Sequence, residues 1–284
     1  MKSVTVKVRA KVNLSLNVKG INGKYHDLES VMVSVSLFDL VTATATDTGI
    51  ARVRFSRENI ENSNAQKLAD IMMEKYSLPG VDIFIEQNIP EGGGVGGSSA
   101  DGAGVIRAID TLFGINAGEE TLRKIAERVG SDIPFMVTGG CALIKGRGEK
   151  IERFAIDKDF YLLISGKGSV STKECFALFD KSYTSLTPSD NEKLVVALKE
   201  GDIETAKKQF ANALQDSAMQ LNPYIKDIIS VMESCSLTAV MTGSGACVMG
   251  FGSLEDMEKA QSLLRRDGTL AEIVNSEKIG YEIV

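Results

Sequence analysis

Tryptophan is absent from this 284-residue sequence, and aromatic residues make up only 6% of it. Broad aromatic platforms for single-stranded nucleic acid are therefore not expected. Basic residues are outnumbered, 32 against 38 acidic ones, which gives a net charge of −6. An acidic chain without a basic tail is a poor general binder of nucleic acid or of a membrane surface. If such a chain binds an anionic small molecule, it must do so with local donors.

Residues that bind zinc are also scarce. His26 is the only histidine, and the four cysteines are far apart, with no Cys-x-x-Cys pair. This spacing does not fit a zinc site, and we predict no metal centre built from protein ligands. We expect instead that Cys141, Cys175, Cys235 and Cys247 are buried, reduced thiols of a cytosolic protein.

Long hydrophobic runs are missing as well. No stretch approaches the length that a membrane span requires. The first residues, MKSVTVKVRAKVNLSLNV, alternate apolar and polar side chains and lack the continuous apolar core of a signal peptide. We therefore expect a cytoplasmic protein.

The length suits two domains, and strands and helices come in mixed clusters, which favours an α+β fold. Period-two alternation predicts strands over residues 2–18, and the glycines that follow predict a loop over 20–30. The pattern resets near residue 156, so we predict domains over 1–155 and 156–284. Other predicted elements are a helix over 62–76, a strand over 81–90, a hairpin over 141–154, a strand over 160–165, a helix over 254–266 and a terminal strand over 278–284.

A run of glycines, PEGGGVGGSSA, lies between a predicted strand and a predicted apolar helix. This arrangement presents backbone N–H groups and the positive end of a helix to an anion, usually a phosphate. The Walker motif fails here for want of a lysine, and the dinucleotide fingerprint for want of its third glycine. A flexible turn is the alternative. The candidate anion-binding residues are Pro90, Gly92, Gly93, Gly94, Val95, Gly96, Gly97, Ser98 and Ser99.

The same stretch resembles the phosphate-binding motif of the GHMP kinases, and TGSGACV, residues 242–248, resembles their C-terminal glycine motif. Two longer segments, AKVNLSLNVKGINGKYHDLES over 10–30 and GSDIPFMVTGGCALIKGRGEKI over 130–151, resemble one branch of that superfamily. Its members phosphorylate the 2-hydroxyl of a cytidine diphosphate-linked methylerythritol in non-mevalonate isoprenoid biosynthesis. The resemblance covers essentially the whole chain. It implies a two-domain GHMP kinase fold with ATP and Mg²⁺ as cofactors.

Two residues are candidates for catalysis. From the residues alone, Lys11 is a solvated lysine on a strand and Asp132 is a helix cap, or both act in a site. The resemblance implies that Asp132 is the catalytic carboxylate and that Lys11 faces it. Asn13 shares a strand face with Lys11, because side chains alternate with period two.

The resemblance also implies a substrate site. Tyr25 would supply a ring face to the cytosine, His26 would hydrogen-bond its edge, and Phe176 would lie on the other side. Phe179 is an equally good candidate for that last role. The C-terminal motif, Gly243, Ser244 and Gly245, would close the substrate side.

The sequence departs from the resembled pattern at Lys24, and it leaves other functions open. Lys24 stands where the resembled pattern has glycine, and we expect it to add a donor near the substrate's diphosphate or the rim of the site. The rival functions are another small-molecule kinase, acting on homoserine, mevalonate or a sugar, and a non-catalytic nucleotide-binding member of the fold. The sequence does not indicate an oligomeric state.

Overall fold

A computed structural model describes residues 2–23, 25–57 and 60–284. Lys24 lies outside the described residues. The chain forms the predicted α+β architecture, with strands and helices in mixed order. The strands are β1 (Ser3–Asn13), β2 (Ser15–Asn22), β3 (Tyr25–Ala45), β4 (Ala51–Phe55), β5 (Val81–Glu86), β6 (Cys141–Gly146), β7 (Lys150–Phe154), β8 (Tyr161–Gly166), β9 (Ala211–Asn212), β10 (Thr238–Met241), β11 (Val248–Phe251), β12 (Leu270–Glu277) and β13 (Tyr281–Ile283).

The helices lie in the longer connections between these strands. They are α1 (Asn64–Tyr76), α2 (Gly97–Phe113), α3 (Glu119–Glu127), α4 (Ile133–Met136), α5 (Thr172–Phe179), α6 (Asn191–Glu200), α7 (Ile203–Lys207), α8 (Gln215–Leu221), α9 (Tyr224–Ser234) and α10 (Leu254–Arg266). Among the described residues, none of these helices is both long and apolar enough to cross a bilayer.

The sheet is organised around β3, which is 21 residues long. The order along the main path is β10-β11-β8-β12-β3-β1-β13, and β3 also pairs with β2, β5 and β6. Strand β1 runs antiparallel to β3, with a shift of register between Arg9 and Lys11. Beyond that shift Lys11 lies opposite Ser34 and Asn13 opposite Met32. Lys11 thus pairs with β3 on one side, and on its other side its N–H donates to the carbonyl of Val95 in the glycine run.

The loop predicted over residues 20–30 is wrong. Strands β2 and β3 extend through this segment, and their pairing brings Ile21 opposite His26. Gly20, the residue at which the sequence predicted the end of the strand, follows a shift of register between β2 and β3. Backbone pairing with β3 thus outweighs the local preference of glycine for a turn.

Most other elements agree with the sequence prediction. Ser63 caps α1 by accepting the N–H of Gln66 on its hydroxyl, and β6 and β7 form the expected hairpin. Strand β12 was not predicted. Its apolar residues, Leu270, Ala271, Ile273 and Val274, do not keep a regular period of two.

Two hydrophobic clusters fill the interior. The larger includes Val8, Val41 and Ile106, and the smaller includes Leu16 and Phe179. The smaller cluster takes residues of β2 together with residues after 160, so each half of the chain contributes to it. The boundary at 155/156 stays a prediction.

All four cysteines are free and buried, as expected. Burial raises the pKa of the Cys175 thiol to about 11 and that of Cys247 to about 12. Reactive thiols depend on the thiolate form, so these cysteines act as small apolar residues.

Helix α2 packs closely on β1 and β3 through a glycine. A Cβ built on Gly104 would lie 2.6 Å from Cγ2 of Val41 and 3.1 Å from Cγ1 of Val8. Both neighbours are β-branched residues of strands, which leaves them little rotamer freedom. Gly104 therefore sets the distance between the sheet and the helix that follows the glycine run.

We predict that Gly104→Ala destabilises the protein although alanine favours helix. The gain in propensity is about 1 kcal/mol, and overpacking against stiff side chains costs roughly 1–3 kcal/mol. Denaturant unfolding checks the net loss. Gly118→Ala is the control, because a Cβ there meets nothing within 4 Å, and it should cost less than about 1 kcal/mol. Equal stability of the two variants would contradict the packing argument.

Candidate active site

A cleft of about 730 Å³ opens between the glycine run, the β2–β3 hairpin and helix α5. Most of the predicted site residues line it. They are Lys11, Asn13, Tyr25, His26, Pro90, Gly92, Gly93, Gly94, Gly96, Gly97, Ser98, Ser99, Asp132, Phe176, Gly243, Ser244 and Gly245. Val95 does not, because its side chain is fully buried in the core.

Lys11 is the buried centre of this cleft, with only 3% of its side chain exposed. Its Nζ donates to Oδ1 of Asn13 at 2.6 Å and to the carbonyl of Gly94 at 2.9 Å. The same atom lies 3.3 Å from Oδ2 of Asp132. A buried ammonium must be paired and hydrogen-bonded, and these three partners satisfy it. The solvated interpretation of Lys11 is therefore wrong.

Asp132 occupies the N-cap position of α4 but makes no capping hydrogen bond with its side chain. Its carboxylate faces Lys11 instead, and 35% of it is exposed. A capping aspartate accepts an N–H of the first turn with its side chain. The geometry thus favours a role in the cleft over the cap that the sequence pattern also allowed.

The glycine loop, Pro90–Gly96, ends where α2 begins. Gly96 adopts a φ of +81° and is the N-cap of the helix. The first N–H groups of a helix have no partner within it, and together with the helix dipole they favour an anion. Lys11 N–H donates to the carbonyl of Val95 at 3.0 Å. The loop therefore holds its shape against β1 while its helix end faces the cleft.

The C-terminal glycine turn, Thr242–Gly245, packs on the glycine loop. A Cβ on Gly243 would lie 2.7 Å from the carbonyl oxygen of Gly94. Just beyond the turn, Cys247 N–H donates to the carbonyl of Gly93 at 2.9 Å. Two backbones can approach this closely only where side chains are absent. The two glycine motifs thus form one backbone layer at the floor of the cleft.

The aromatic residues of the cleft already have partners. His26 stacks on Phe176 with ring centroids 4.3 Å apart, and its Nε2 lies 2.7 Å from Oδ1 of Asp180. The guanidinium of Arg147 lies 3.5 Å from the ring centroid of Tyr25. A cytosine base that binds here would have to stack on the ring faces that these contacts leave free. Phe179 is fully buried, so Phe176 is the phenylalanine that reaches the cleft.

Comparison with known proteins identifies the family. Residues 63–140 match the GHMP kinases N terminal domain, and residues 194–269 match the GHMP kinases C terminal domain. The 4-diphosphocytidyl-2-C-methyl-D-erythritol kinase of Clostridium beijerinckii is 34% identical over 263 residues, which cover 90% of this chain and 92% of that one. The chain belongs to the 4-diphosphocytidyl-2-C-methyl-D-erythritol kinases. It is thus an ATP-dependent small-molecule kinase of the GHMP fold.

Other relatives and solved structures agree with this family. The enzyme of the same name from Streptomyces avermitilis is 35% identical over 258 residues, covering 86% of each chain. A crystal structure of 4-(cytidine 5'-diphospho)-2C-methyl-D-erythritol kinase superposes with a TM-score of 0.78 at 25% identity, over 95% of this chain and 98% of that one. A homoserine kinase from Cytophaga hutchinsonii reaches 0.80 at 16% identity, over 100% of this chain and 98% of that one. The second match shows the shared fold alone.

Several residues of this kinase cleft were missed by the sequence analysis. Thr242 Oγ1 accepts the backbone N–H of Asn13 at 2.7 Å, and Ser30 Oγ accepts from Asn13 Nδ2 at 2.7 Å. Arg147 and Asp180 contact Tyr25 and His26. No local pattern marks the aspartate, because its partner is distant in sequence, and the serine and the threonine stand at the ends of two stretches that carried the resemblance but had no role assigned to them. Arg147 had a weak signal, since it lies inside the GRGE stretch that carried the resemblance.

We predict that Gly94→Ala raises the KM for ATP at least about tenfold, a loss of roughly 1.4 kcal/mol. Gly94 has a φ of +76°, and an added Cβ would overlap the carbonyl of Thr242. Gly49→Ala is a matched control, with a φ of +75° but nothing within 4 Å of its Cβ. Both variants bear the same backbone strain, so their difference reports the contact between the glycine motifs. An unchanged KM for ATP in Gly94→Ala would contradict a role of the contact between the glycine motifs in ATP binding.

Proposed function

We propose that this kinase transfers the γ-phosphoryl group of ATP to the 2-hydroxyl of 4-diphosphocytidyl-2-C-methyl-D-erythritol. One observation carries the proposal. The ion pair of Lys11 and Asp132, the glycine loop and the pair Tyr25 and His26 line a single cleft. Phosphoryl transfer needs the nucleotide, the acceptor hydroxyl and a charge-stabilising group in one place.

The nucleotide would bind as MgATP, with its phosphates on the glycine loop. Backbone N–H groups at the start of α2 and the hydroxyls of Ser98 and Ser99 are the donors on offer. Among the described residues, no group of three or more His, Cys, Asp or Glu could hold a metal ion by itself. Mg²⁺ would therefore be held by oxygens of the ATP phosphates, which suit it, and would neutralise part of their charge.

Asp132 would accept the proton of the acceptor hydroxyl. A carboxylate is a weak base for an alcohol, but this matters little in a loose transition state, where the proton leaves late. Lys11, 3.3 Å away, would hold this carboxylate in place and stabilise the developing charge on oxygen. Its hydrogen bond to Gly94 links that charge to the loop that would hold the phosphates.

The cytidine end of the substrate would bind near the aromatic residues. The carboxylate of Asp180 can only accept, so His26 Nε2 donates to it, and Nδ1 of a neutral ring is left as an acceptor. An exocyclic amine such as that of cytosine is a suitable donor for this atom. Arg147 and Lys173 line the same cleft, and cations of this kind suit a diphosphate.

ADP release with a panel of acceptors tests the proposal. We expect turnover with 4-diphosphocytidyl-2-C-methyl-D-erythritol and none above background with homoserine, mevalonate or galactose. Turnover with one of those three acceptors instead would show that the chain has another kinase activity found in this fold. If ATP binds but none of the acceptors yields ADP, a non-catalytic nucleotide-binding role is favoured.

We predict that Asp132→Asn lowers kcat by about 10²–10⁴-fold, the usual contribution of a positioned proton acceptor. ATP and the acceptor should still bind, because asparagine keeps the shape. Lys11→Met should also lower kcat, and the double variant should lose less than the product of the two, since the pair acts as a unit. Single-turnover kinetics measure each loss. Asp132→Asn with kcat within a few-fold of the parent would return Asp132 to a structural role.

We predict that Tyr25→Ala raises the KM for the cytidylyl acceptor about ten- to a hundredfold while leaving the KM for ATP unchanged. The reason is that base–aromatic stacking is worth roughly 1–3 kcal/mol. Tyr161→Ala is the control, because Tyr161 is 54% exposed, close to the 51% of Tyr25, but does not line the cleft. A similar rise in both KM values for Tyr25→Ala would mean that the residue supports the fold of the hairpin only.

A further inference from the structure

Two carboxyl groups meet behind the glycine loop, outside the cleft. Asp39 lies on β3 and Asp101 on the second turn of α2, and they are only 1% and 4% exposed. Each carboxyl group is close enough to the other to be among the causes that shift the pKa of the other. The mechanism proposed above uses neither, yet a buried pair of acidic groups is costly and calls for a physical reason.

The pair connects the two ends of the glycine loop. Asp39 Oδ1 accepts the backbone N–H groups of Asn88 and Ile89, the latter at 2.8 Å. These residues immediately precede Pro90, where the loop starts. Asp101 belongs to the helix in which the loop ends. Contact between the two carboxyl groups therefore fixes the entrance of the loop relative to its exit.

One proton is needed to hold this contact. Two buried carboxylates in contact cannot both be ionised. Asp39 already accepts two N–H groups, whereas Oδ1 of Asp101 has no partner among the described residues. The proton therefore belongs on Asp101, which then donates to Asp39.

The surrounding charges support this assignment. Burial, followed by the charge of Asp39, their hydrogen bond and the charge of Glu91, raises the pKa of Asp101 to about 9. Burial also raises the pKa of Asp39, opposed by the N–H groups of Ile89 and Asn88, by Asp101 and by Arg57. Asp39, which accepts two N–H groups, is thus the better placed of the two to carry the negative charge, and Asp101 the better placed to hold the proton.

We propose that Asp101 is a positioning residue for the nucleotide: through the proton that it shares with Asp39, it holds the two ends of the glycine loop in register. Loss of that proton would place two negative charges in buried contact, and the strands and helix that frame the loop would separate to relieve the repulsion. The inference rests on the proposed function only in that the glycine loop is taken to bind ATP.

The sign of the effect on stability follows from linkage. Asp101 is ionised in the unfolded chain above its ordinary pKa of 3.8 but stays protonated in the fold up to about 9. Between these values the folded state binds more protons, so stability falls as pH rises. Asp101→Asn removes this titration. The melting temperature of Asp101→Asn should therefore exceed that of the parent by an amount that grows from about pH 5 to about pH 9 and then levels off.

Thermal unfolding across this pH range is the first test, with Asp110→Asn as the control. Asp110 is a half-buried residue of the same helix, and its carboxylate accepts the N–H of Ala117 at 2.9 Å. The difference in melting temperature between Asp110→Asn and the parent should not grow over the same pH range. A melting-temperature difference between Asp101→Asn and the parent that is constant with pH would contradict the shared proton, since a packing effect alone does not depend on pH.

Equilibrium binding of MgATP is the second test. If only the protonated pair orders the loop, one tenth of the parent is competent one pH unit above the pKa, and the apparent Kd rises about tenfold near pH 10. Asp101→Asn should show no such rise relative to its own value at pH 7. Asp101→Leu, which lacks a donor, should bind MgATP more weakly at every pH, and the asparagine should rescue it.

Parallel Kd curves for the parent and Asp101→Asn between pH 7 and pH 10 would overturn the control of the loop by Asp101. These readouts do not involve an acceptor substrate. Divergent curves in a protein that fails to phosphorylate the cytidylyl acceptor would leave this inference standing and reject the proposed function.

Discussion

The buried ammonium of Lys11 is the group on which the geometry of the cleft depends. It contacts an amide, a main-chain carbonyl and a carboxylate that come from β1, the glycine loop and the start of α4. Asn13 is held in turn by Ser30 and by Thr242. A charge buried this deeply leaves its partners little freedom, because any partner that moved away would leave it unpaired. Preorganised charge of this kind is what phosphoryl transfer demands of a protein.

Much of this could be predicted from the sequence, because the signals were local. The glycine loop, the helix after it, the hairpin over 141–154 and the shared face of Lys11 and Asn13 follow from spacing and from motif. The burial of Lys11 did not, since a lysine on an alternating strand is normally solvated, and only its distant partners show otherwise. The extension of β2 and β3 through residues 20–30 was missed for the same reason: sheet pairing outweighed two local glycines. Asp101 carries no local signal, and Thr242 is marked only as part of the stretch TGSGACV, because the roles of both depend on contacts with residues far away in the sequence.

The site combines two ways of treating buried charge. Lys11 and Asp132 carry opposite charges, which attract each other across 3.3 Å. Asp39 and Asp101 hold like groups, which stay in contact only by giving up one charge. The first arrangement faces the cleft and suits chemistry. The second lies behind the loop, where a neutral acid can serve as a hydrogen-bond donor with the shape of a carboxylate.

The contact between the two glycine motifs has a consequence for how this enzyme is assembled. Backbone atoms of Gly93 and Gly94 touch a turn that lies some 150 residues later, and Asn13 bonds to Thr242 across a separation of 229 residues. Contacts of such long range close late in folding, after the entropy of the intervening chain has been lost. The floor of the cleft is thus completed only when the last third of the chain is in place. A nascent or truncated chain that stops before Thr242 therefore lacks part of the surface on which a nucleotide's phosphates would rest.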